Sequence, residues 1–170
     1  MIRKATPEDK TQIMSIIHSA QEELRELGID QWQDGYPTPE SIDEDIDSGV
    51  GYVACTDCKV IGYAAIVLTG EPAYQQIEDE WLYGKDYVVV HRLCVAKESR
   101  RGGIALELMK HAADIARKAQ HNAFRIDTHR GNIRMLTMLS KLKFREVGTI
   151  LYDSGERVAY ELDLTSSDKL

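Results

Sequence analysis

The chain has 170 residues, which is enough for one domain with its own hydrophobic core. Its formal net charge of −7 argues against non-specific nucleic-acid binding, which needs a basic face, and is compatible with a cationic partner such as an amine. No apolar run reaches membrane-spanning length and no signal-peptide core follows the first residues, so we expect a cytoplasmic protein that does not bind membranes.

The first third of the chain predicts a short strand at residues 2–5 and two helices. Thr6-Pro7 and Thr38-Pro39 each place a hydroxyl cap and a proline where a helix begins. The second helix ends before Gly49, and the first ends at Gly28 after a series of apolar residues at helical spacing, namely Ile13, Ile16, Ile17, Ala20, Leu24 and Leu27.

Two large aromatic residues, Trp32 and Tyr36, stand in the loop between these helices. They either cover the core or line a pocket for an acceptor substrate, and their sequence context is compatible with both interpretations.

Residues 50–55 and 60–68 predict the two strands of a hairpin. Cys55 and Cys58 near its turn form a C-x-x-C pair, a pattern that can bind zinc or carry out redox chemistry. A structural zinc site needs a second pair of ligands, and the remaining cysteine, Cys94, falls in an apolar run far along the chain. We therefore expect no metal site and interpret the pair as incidental.

Residues 69–86 form a long acidic segment that we predict to be a loop. The segment is either a solvated loop or a wall that attracts a cationic acceptor. Its acids include Glu71, Glu78, Asp79 and Glu80.

The most informative stretch is residues 87–120, which predicts a strand, a basic turn and a helix. Residues 88–95 are an almost unbroken apolar run, typical of a strand buried on both faces. After the turn, apolar residues recur at helical spacing along one face.

The turn itself contains Arg100, Arg101, Gly102 and Gly103. A helix that begins at paired glycines directs free N–H groups and the positive end of its dipole outward, and the two arginines add full charges. This arrangement predicts a site for a phosphate or diphosphate group.

The rest of the chain predicts a strand at 123–128, a helix capped by Asn132, two strands at 144–152 and 157–164, and a polar tail at 165–170. The predicted order is therefore β-α-α-β-β-β-α-β-α-β-β, without internal repeats.

The hexapeptide Arg100-Arg101-Gly102-Gly103-Ile104-Ala105 resembles the [RQ]-x-x-G-x-[GA] coenzyme A signature of the GNAT superfamily of N-acetyltransferases. Neither a P-loop nor a Rossmann glycine motif is present. The element order extends the resemblance over nearly the full chain. It implies one GNAT domain over residues 1–170, a mixed α/β fold whose central twisted sheet of about seven strands is flanked by about four helices. The sheet is expected to splay open after the fourth strand.

The resemblance also implies acetyl-CoA as cosubstrate and no metal. Residues 100–105 would hold its diphosphate, and Asn132 would belong to the same site. The pantetheine arm would pair with the backbone of Leu93, Cys94 and Val95 as an added strand does.

The family's second motif, N-x-x-A-x-x-[LF]-Y-x-K-x-G-F, is matched here at Asn132, Lys141 and Phe144. Leu139 stands where the family commonly has the tyrosine that protonates the leaving thiolate, so this role is not carried over. Lys143 replaces the usual glycine, which predicts left-handed backbone geometry at a lysine.

The proton acceptor remains open. His91 is the first candidate, because histidine is the residue type that most often acts as a general base and this one lies in the central strand; the alternative is a packed strand histidine. Glu80 is the second candidate, acting through water, and Asp127 and His129 are weaker ones. Arg92 is expected on the face opposite His91, paired with a carboxylate. A strand-bulge N–H beside Cys94 or Val95 could stabilise the oxyanion.

The resulting hypothesis is an acetyl-CoA-dependent N-acetyltransferase that acts on a primary amine of a small or peptide acceptor by direct attack, without a covalent enzyme intermediate. The alternatives are a non-catalytic acyl-CoA sensor or interaction module on the same fold, and an unrelated phosphate-binding α/β domain. A homodimer is expected from fold analogy alone.

Overall fold

The computed structural model describes residues 1–57 and 59–165. Cys58 and the tail beyond Thr165 lie outside this range, so the expectations for the C-x-x-C pair and for the polar tail stay predictions. None of the helices in the described residues has the length and apolar character needed to cross a bilayer. The elements are β1 Ile2–Lys4, α1 Lys10–Glu26, α2 Pro39–Asp47, β2 Gly51–Thr56, β3 Lys59–Val67, β4 Tyr87–Val95, α3 Ile104–Lys118, β5 Ala123–Thr128, α4 Ile133–Lys141, β6 Arg145–Tyr152 and β7 Gly155–Asp163.

In the described part of the chain, seven strands form one sheet in the order β1-β2-β3-β4-β5-β7-β6. All neighbouring strands are antiparallel except β4 and β5, which run parallel. The parallel pairing ends at Val89 and Arg125, although both strands continue beyond these residues. The sheet therefore splays after its fourth strand, which confirms the predicted fold and element order.

Helices cover both faces of the sheet. Leu108, Met109 and Ala112 of α3 and Leu139 of α4 pack on one face in the largest apolar cluster. Ile13 and Ile17 of α1, with α2, pack on the other face in a second cluster. Helices of both layers therefore flank the sheet on either side of its gap.

The acidic segment after β3 is more ordered than the sequence predicted, because Pro72–Glu80 forms a short 3-10 helix. Tyr74 is buried and packs with Val89 in a third cluster, which fastens this helix to the sheet. Arg125 of β5 lies between the rings of Trp81 and Tyr87, 4.2 and 3.8 Å from their centres, and anchors the following residues. The acidic residues that characterise this segment in the sequence gave no indication of these aromatic contacts.

Candidate active site

A cavity of about 1210 Å³ opens where β4 and β5 separate. Its volume is somewhat larger than that of most small-molecule sites. Residues 90–95 of β4 and 126–128 of β5 form its two sides, and the second half of α1 and the start of α4 also contribute to its lining. The cavity reaches from the interior of the sheet to the basic turn, since Arg100 and Ala105 also line it.

β4 carries a bulge within this cavity. Cys94 and His91 pair with two β3 residues that are only two positions apart, so Arg92 and Leu93 face a single residue of β3. Arg92 has a φ of 56°, a left-handed conformation that is costly for a side-chain-bearing residue. A bulge leaves its extra residue outside the hydrogen-bonded ladder. The predicted bulge is thus present, beginning slightly before the expected position beside Cys94 or Val95.

A buried carboxylate fixes the bulge. Arg92 donates to Asp45 of α2 through Nη2 at 2.5 Å and Nε at 2.8 Å, and also donates to the Tyr36 hydroxyl. The Tyr63 hydroxyl donates to the same carboxylate at 2.5 Å. The pairing with a carboxylate was expected, but the expected face was wrong. The extra residue of the bulge breaks the alternation, so Arg92 and His91 both lie on the face opposite α3.

His91 is paired with Glu71, the N-cap residue of the 3-10 helix. Its Nε2 lies 3.1 Å from Glu71 Oε2, while Glu71 Oε1 accepts a hydrogen bond of 3.0 Å from the Ala73 N–H. The hydrogen bond with His91 lowers the pKa of Glu71. An ionised Glu71 requires a proton on the facing nitrogen, which leaves Nδ1 of His91 as the nitrogen able to accept another proton.

Asp127 stands on the other side of the gap from His91. Each lies two residues beyond the last β4–β5 pair, Val89 with Arg125. The Tyr74 and Tyr152 hydroxyls both donate to Asp127 Oδ2, at 2.9 and 3.0 Å. Burial raises the pKa of this carboxyl.

The basic turn has the geometry that the glycines predicted. Gly103 has a φ of 75°, and α3 begins at the next residue after a 3-10 helix over Lys97–Gly102. A Cβ built on Gly103 would meet nothing within 4 Å in the described residues. The corner is therefore open, and a chain of phosphate groups could approach the backbone there.

A carboxylate from α1 stands beside this turn. Glu23 accepts hydrogen bonds from Arg100 and, at 3.1 Å, from Arg134 of α4. Arg100 also donates to the Val95 carbonyl at 3.2 Å. Arg101, Gly102, Gly103 and Ile104 do not line the cavity, and Ile104 packs against the α3 cluster.

The two ends of α4 both match the family's second motif. The Asn132 side chain accepts a 3.3 Å hydrogen bond from the Met135 N–H and lines the cavity. Lys143 has a φ of 65°, which confirms the left-handed geometry predicted at the usual glycine. Leu139 is fully buried in the α3 cluster, and Ser140 is exposed outside the cavity, so neither supplies an acid to the gap.

The remaining expected residues divide into two groups. Trp32 and Tyr36 line the cavity, and Trp32 also packs against the α1 cluster. Glu80 is exposed at the far end of the 3-10 helix and does not line this cavity. Glu71, nine residues earlier, is the carboxylate of that segment that reaches His91. After Glu71 the segment runs along the sheet, where Ile77 and Trp81 pack in the third cluster.

Sequence reasoning gave no role to Asp45, Tyr74 or Tyr152. Their contacts join segments that are far apart in the chain, with Tyr74 and Asp127 separated by 53 positions. A period-two or helical pattern carries no information about such contacts. The sequence shows where the carboxylates stand in the chain, but it does not show which side chains they contact.

A sequence model of the Acetyltransferase (GNAT) family matches residues 17–144. A crystallised GNAT-family acetyltransferase from Streptococcus agalactiae 2603 is 31% identical, with a TM-score of 0.81, 96% of this chain covered and 94% of that one. No curated protein sequence matches this chain.

Two more distant structures share the fold. A GNAT-family acetyltransferase from Listeria monocytogenes 4b F2365 is 20% identical, with a TM-score of 0.72 over 96% of this chain and 94% of that one. The ribosomal-protein-alanine N-acetyltransferase from Brucella melitensis is 19% identical, with a TM-score of 0.71 over 96% and 99%.

Proposed function

Because the chain belongs to the GNAT family of acetyltransferases, we propose that it transfers an acetyl group from acetyl-CoA to a primary amine of a small or peptide acceptor. The observation that carries this proposal is that one continuous cavity is lined by Arg100 of the basic turn and by His91 and Asp127 in the gap of the sheet. A ligand held at the basic turn would thus extend toward side chains that can accept or donate a proton.

The cofactor would be held along β4 and at the start of α3. Arg100 and Arg101, with the N–H groups around Gly102, Gly103, Ile104 and Ala105, offer positive charge and donors to a diphosphate. The open corner at Gly103 supports this fit. The backbone of Leu93, Cys94 and Val95 borders the gap, and Asn132 borders it from α4. When bound, the thioester supplies the acetyl carbon.

His91 is the proposed proton acceptor. An alkyl ammonium must lose a proton before its nitrogen can attack, since its pKa lies well above neutrality. His91 takes that proton on Nδ1, and the Glu71 carboxylate at 3.1 Å stabilises the resulting imidazolium. The lowered pKa of Glu71 keeps its charge available at neutral pH.

Direct attack is favoured over a covalent enzyme intermediate. Cys94 is the thiol that lines the cavity in the described residues, and burial raises its pKa to about 12. A thiol with that pKa is not a ready nucleophile near neutral pH. The bulge at Arg92 and Leu93 offers an N–H toward the developing oxyanion.

Calorimetric titration with acetyl-CoA tests the site. Gly103→Trp should abolish binding, because the indole would fill the open corner at the turn. Gly84→Trp is the matched control, since Gly84 has a φ of 96° and equally open surroundings but does not line the cavity. Equal binding by both variants and wild type would remove the site assignment.

A second candidate is a non-catalytic acyl-CoA sensor or interaction module. The observation that favours it is Leu139, fully buried where the family commonly has its tyrosine acid. Thiol release over a broad amine panel separates the two functions, because a sensor binds acetyl-CoA without turnover. A homodimer and a cytoplasmic location stay predictions.

A further inference from the structure

Asp127 differs from three other buried or half-buried carboxylates, of which Glu23 and Glu71 line the cavity and Asp45 binds Arg92, which lines it. Glu23, Asp45 and Glu71 each face an arginine or a histidine. Within the described residues, Asp127 forms no ion pair with a lysine or arginine, and its recorded partners are the hydroxyls of Tyr74 and Tyr152. Asp127 is thus partly shielded from water, and no lysine or arginine in the described residues balances its negative charge.

The two oxygens of Asp127 differ in their hydrogen bonds. Both phenols donate to Oδ2, which fixes the carboxylate plane from two elements, the 3-10 helix and β6. In the described chain, Oδ1 has no hydrogen-bond partner, and Asp127 lines the cavity. A fixed carboxylate with one unengaged oxygen is suited to a charge-assisted hydrogen bond from a ligand N–H.

The position of Asp127 relates this oxygen to the proposed proton acceptor. His91 and Asp127 occupy matching positions beyond the last pair of β4 and β5, on the same face of the sheet. Tyr74 marks that face, since it packs on Val89 and donates to Asp127. A group that enters the gap between the strands meets an imidazole on one side and a carboxylate on the other.

We infer that Asp127 is the residue that recognises the acceptor, by binding the reacting amine in its protonated alkylammonium form through Oδ1. This rests on the proposed acetyl transfer. Asp127 holds R–NH3⁺, and His91 removes one proton to give R–NH2. The nitrogen then forms the N–C bond as the C–S bond breaks, and the second proton passes from the nitrogen to the departing sulfur, which leaves as the CoA thiol. The acceptor class is alkyl amines that are cationic at neutral pH, and arylamines, which are neutral there, are excluded.

The kinetic test compares 1,4-diaminobutane and butylamine with 4-methylaniline as acceptors, in a thiol-release assay at saturating acetyl-CoA. Wild type should use the alkylamines in preference to the arylamine. Asp127→Asn should raise KM for the alkylamines at least 30-fold, while Asp153→Asn, an exposed carboxylate at the cavity rim, should change it less than twofold. The asparagine still offers an oxygen to the two phenols, so the fold should be retained.

A binding measurement separates this inference from the proposed function. Calorimetric titration of 1,4-diaminobutane into the protein saturated with CoA requires no chemistry. Cation binding that is lost in Asp127→Asn and kept in Asp153→Asn supports the inference even if no amine is acetylated. Equal binding to all three proteins, no binding to wild type, or preference for the arylamine would overturn it.

Discussion

Glu23 of α1 and Arg100 of the basic turn are joined by an ion pair that spans 77 positions of the sequence. The same carboxylate also accepts from Arg134 of α4. One negative charge is therefore shared between Arg100 of the proposed diphosphate site and Arg134 of α4. A bound diphosphate and Glu23 would compete for the same donors.

Removing that competition should tighten the binding of CoA. Glu23→Gln leaves Arg100 and Arg134 with more positive charge to offer, and we expect Kd for CoA to fall about 3- to 10-fold, which corresponds to roughly 1 kcal/mol. Calorimetry at low and moderate salt measures the change. Glu22→Gln, an exposed neighbour, should leave Kd unaltered. Weaker binding by Glu23→Gln would mean that the carboxylate orients Arg100 rather than competing for it.

The pair of His91 and Glu71 should act as one unit in catalysis. His91→Gln should lower kcat by about 10²- to 10⁴-fold, the usual contribution of a positioned base. Glu71→Gln should lower it less, about tenfold, because the imidazole remains without its stabilising charge. Steady-state kinetics check both values, and acetyl-CoA affinity should be unaltered.

His18→Gln serves as the control for that pair, since His18 is exposed on α1. A variant without His91 that keeps the wild-type kcat would assign the proton transfer to another group, and Asp127 would be the first to test.

Restoring the family's tyrosine should not accelerate the reaction. Leu139 is fully buried against α3, so the larger side chain of Leu139→Tyr would overpack the core and lower the free energy of unfolding by about 1–3 kcal/mol. Met138→Tyr is the matched variant, because Met138 lines the cavity and its replacement directs a phenol toward the gap. Denaturant unfolding and kcat are measured for both. A gain in kcat from Leu139→Tyr would contradict the packing described for α4.

The bulge at Arg92 depends on its carboxylate. Asp45→Asn leaves a mostly buried guanidinium without its charge partner, and we expect the free energy of unfolding to fall by about 3 kcal/mol. Asp43 lies on α2 like Asp45, and Asp43→Asn breaks its more exposed pair with Lys10 of α1. This change should lower the free energy of unfolding by less than about 1 kcal/mol. Urea unfolding of the two variants measures both. Equal losses would show that the buried pair contributes no more than the surface one.

Particular residues illustrate the limits of prediction from the sequence. The strand limits Tyr87–Val95 and Ala123–Thr128, the cap at Asn132 and the left-handed Lys143 were predicted correctly, because each depends on neighbours within a few positions. The side of the sheet chosen by Arg92 was predicted incorrectly. A single inserted residue reverses strand alternation, and nothing in the local composition marks that insertion.

The sequence by itself determined the order of elements and the location of a basic glycine turn, and its resemblance to the GNAT family implied the splayed sheet. The element order and the turn follow from apolar periodicity, capping residues and glycine geometry, which act over short distances along the chain. Only the tertiary structure decided that His91 faces Glu71 rather than Glu80, and that Asp127 stands opposite His91 with two tyrosine hydroxyls on one oxygen. Such contacts depend on strand register and loop path. A carboxylate forms hydrogen bonds only with donors that the fold places within about 3 Å of it, and those donors can be far away in the sequence.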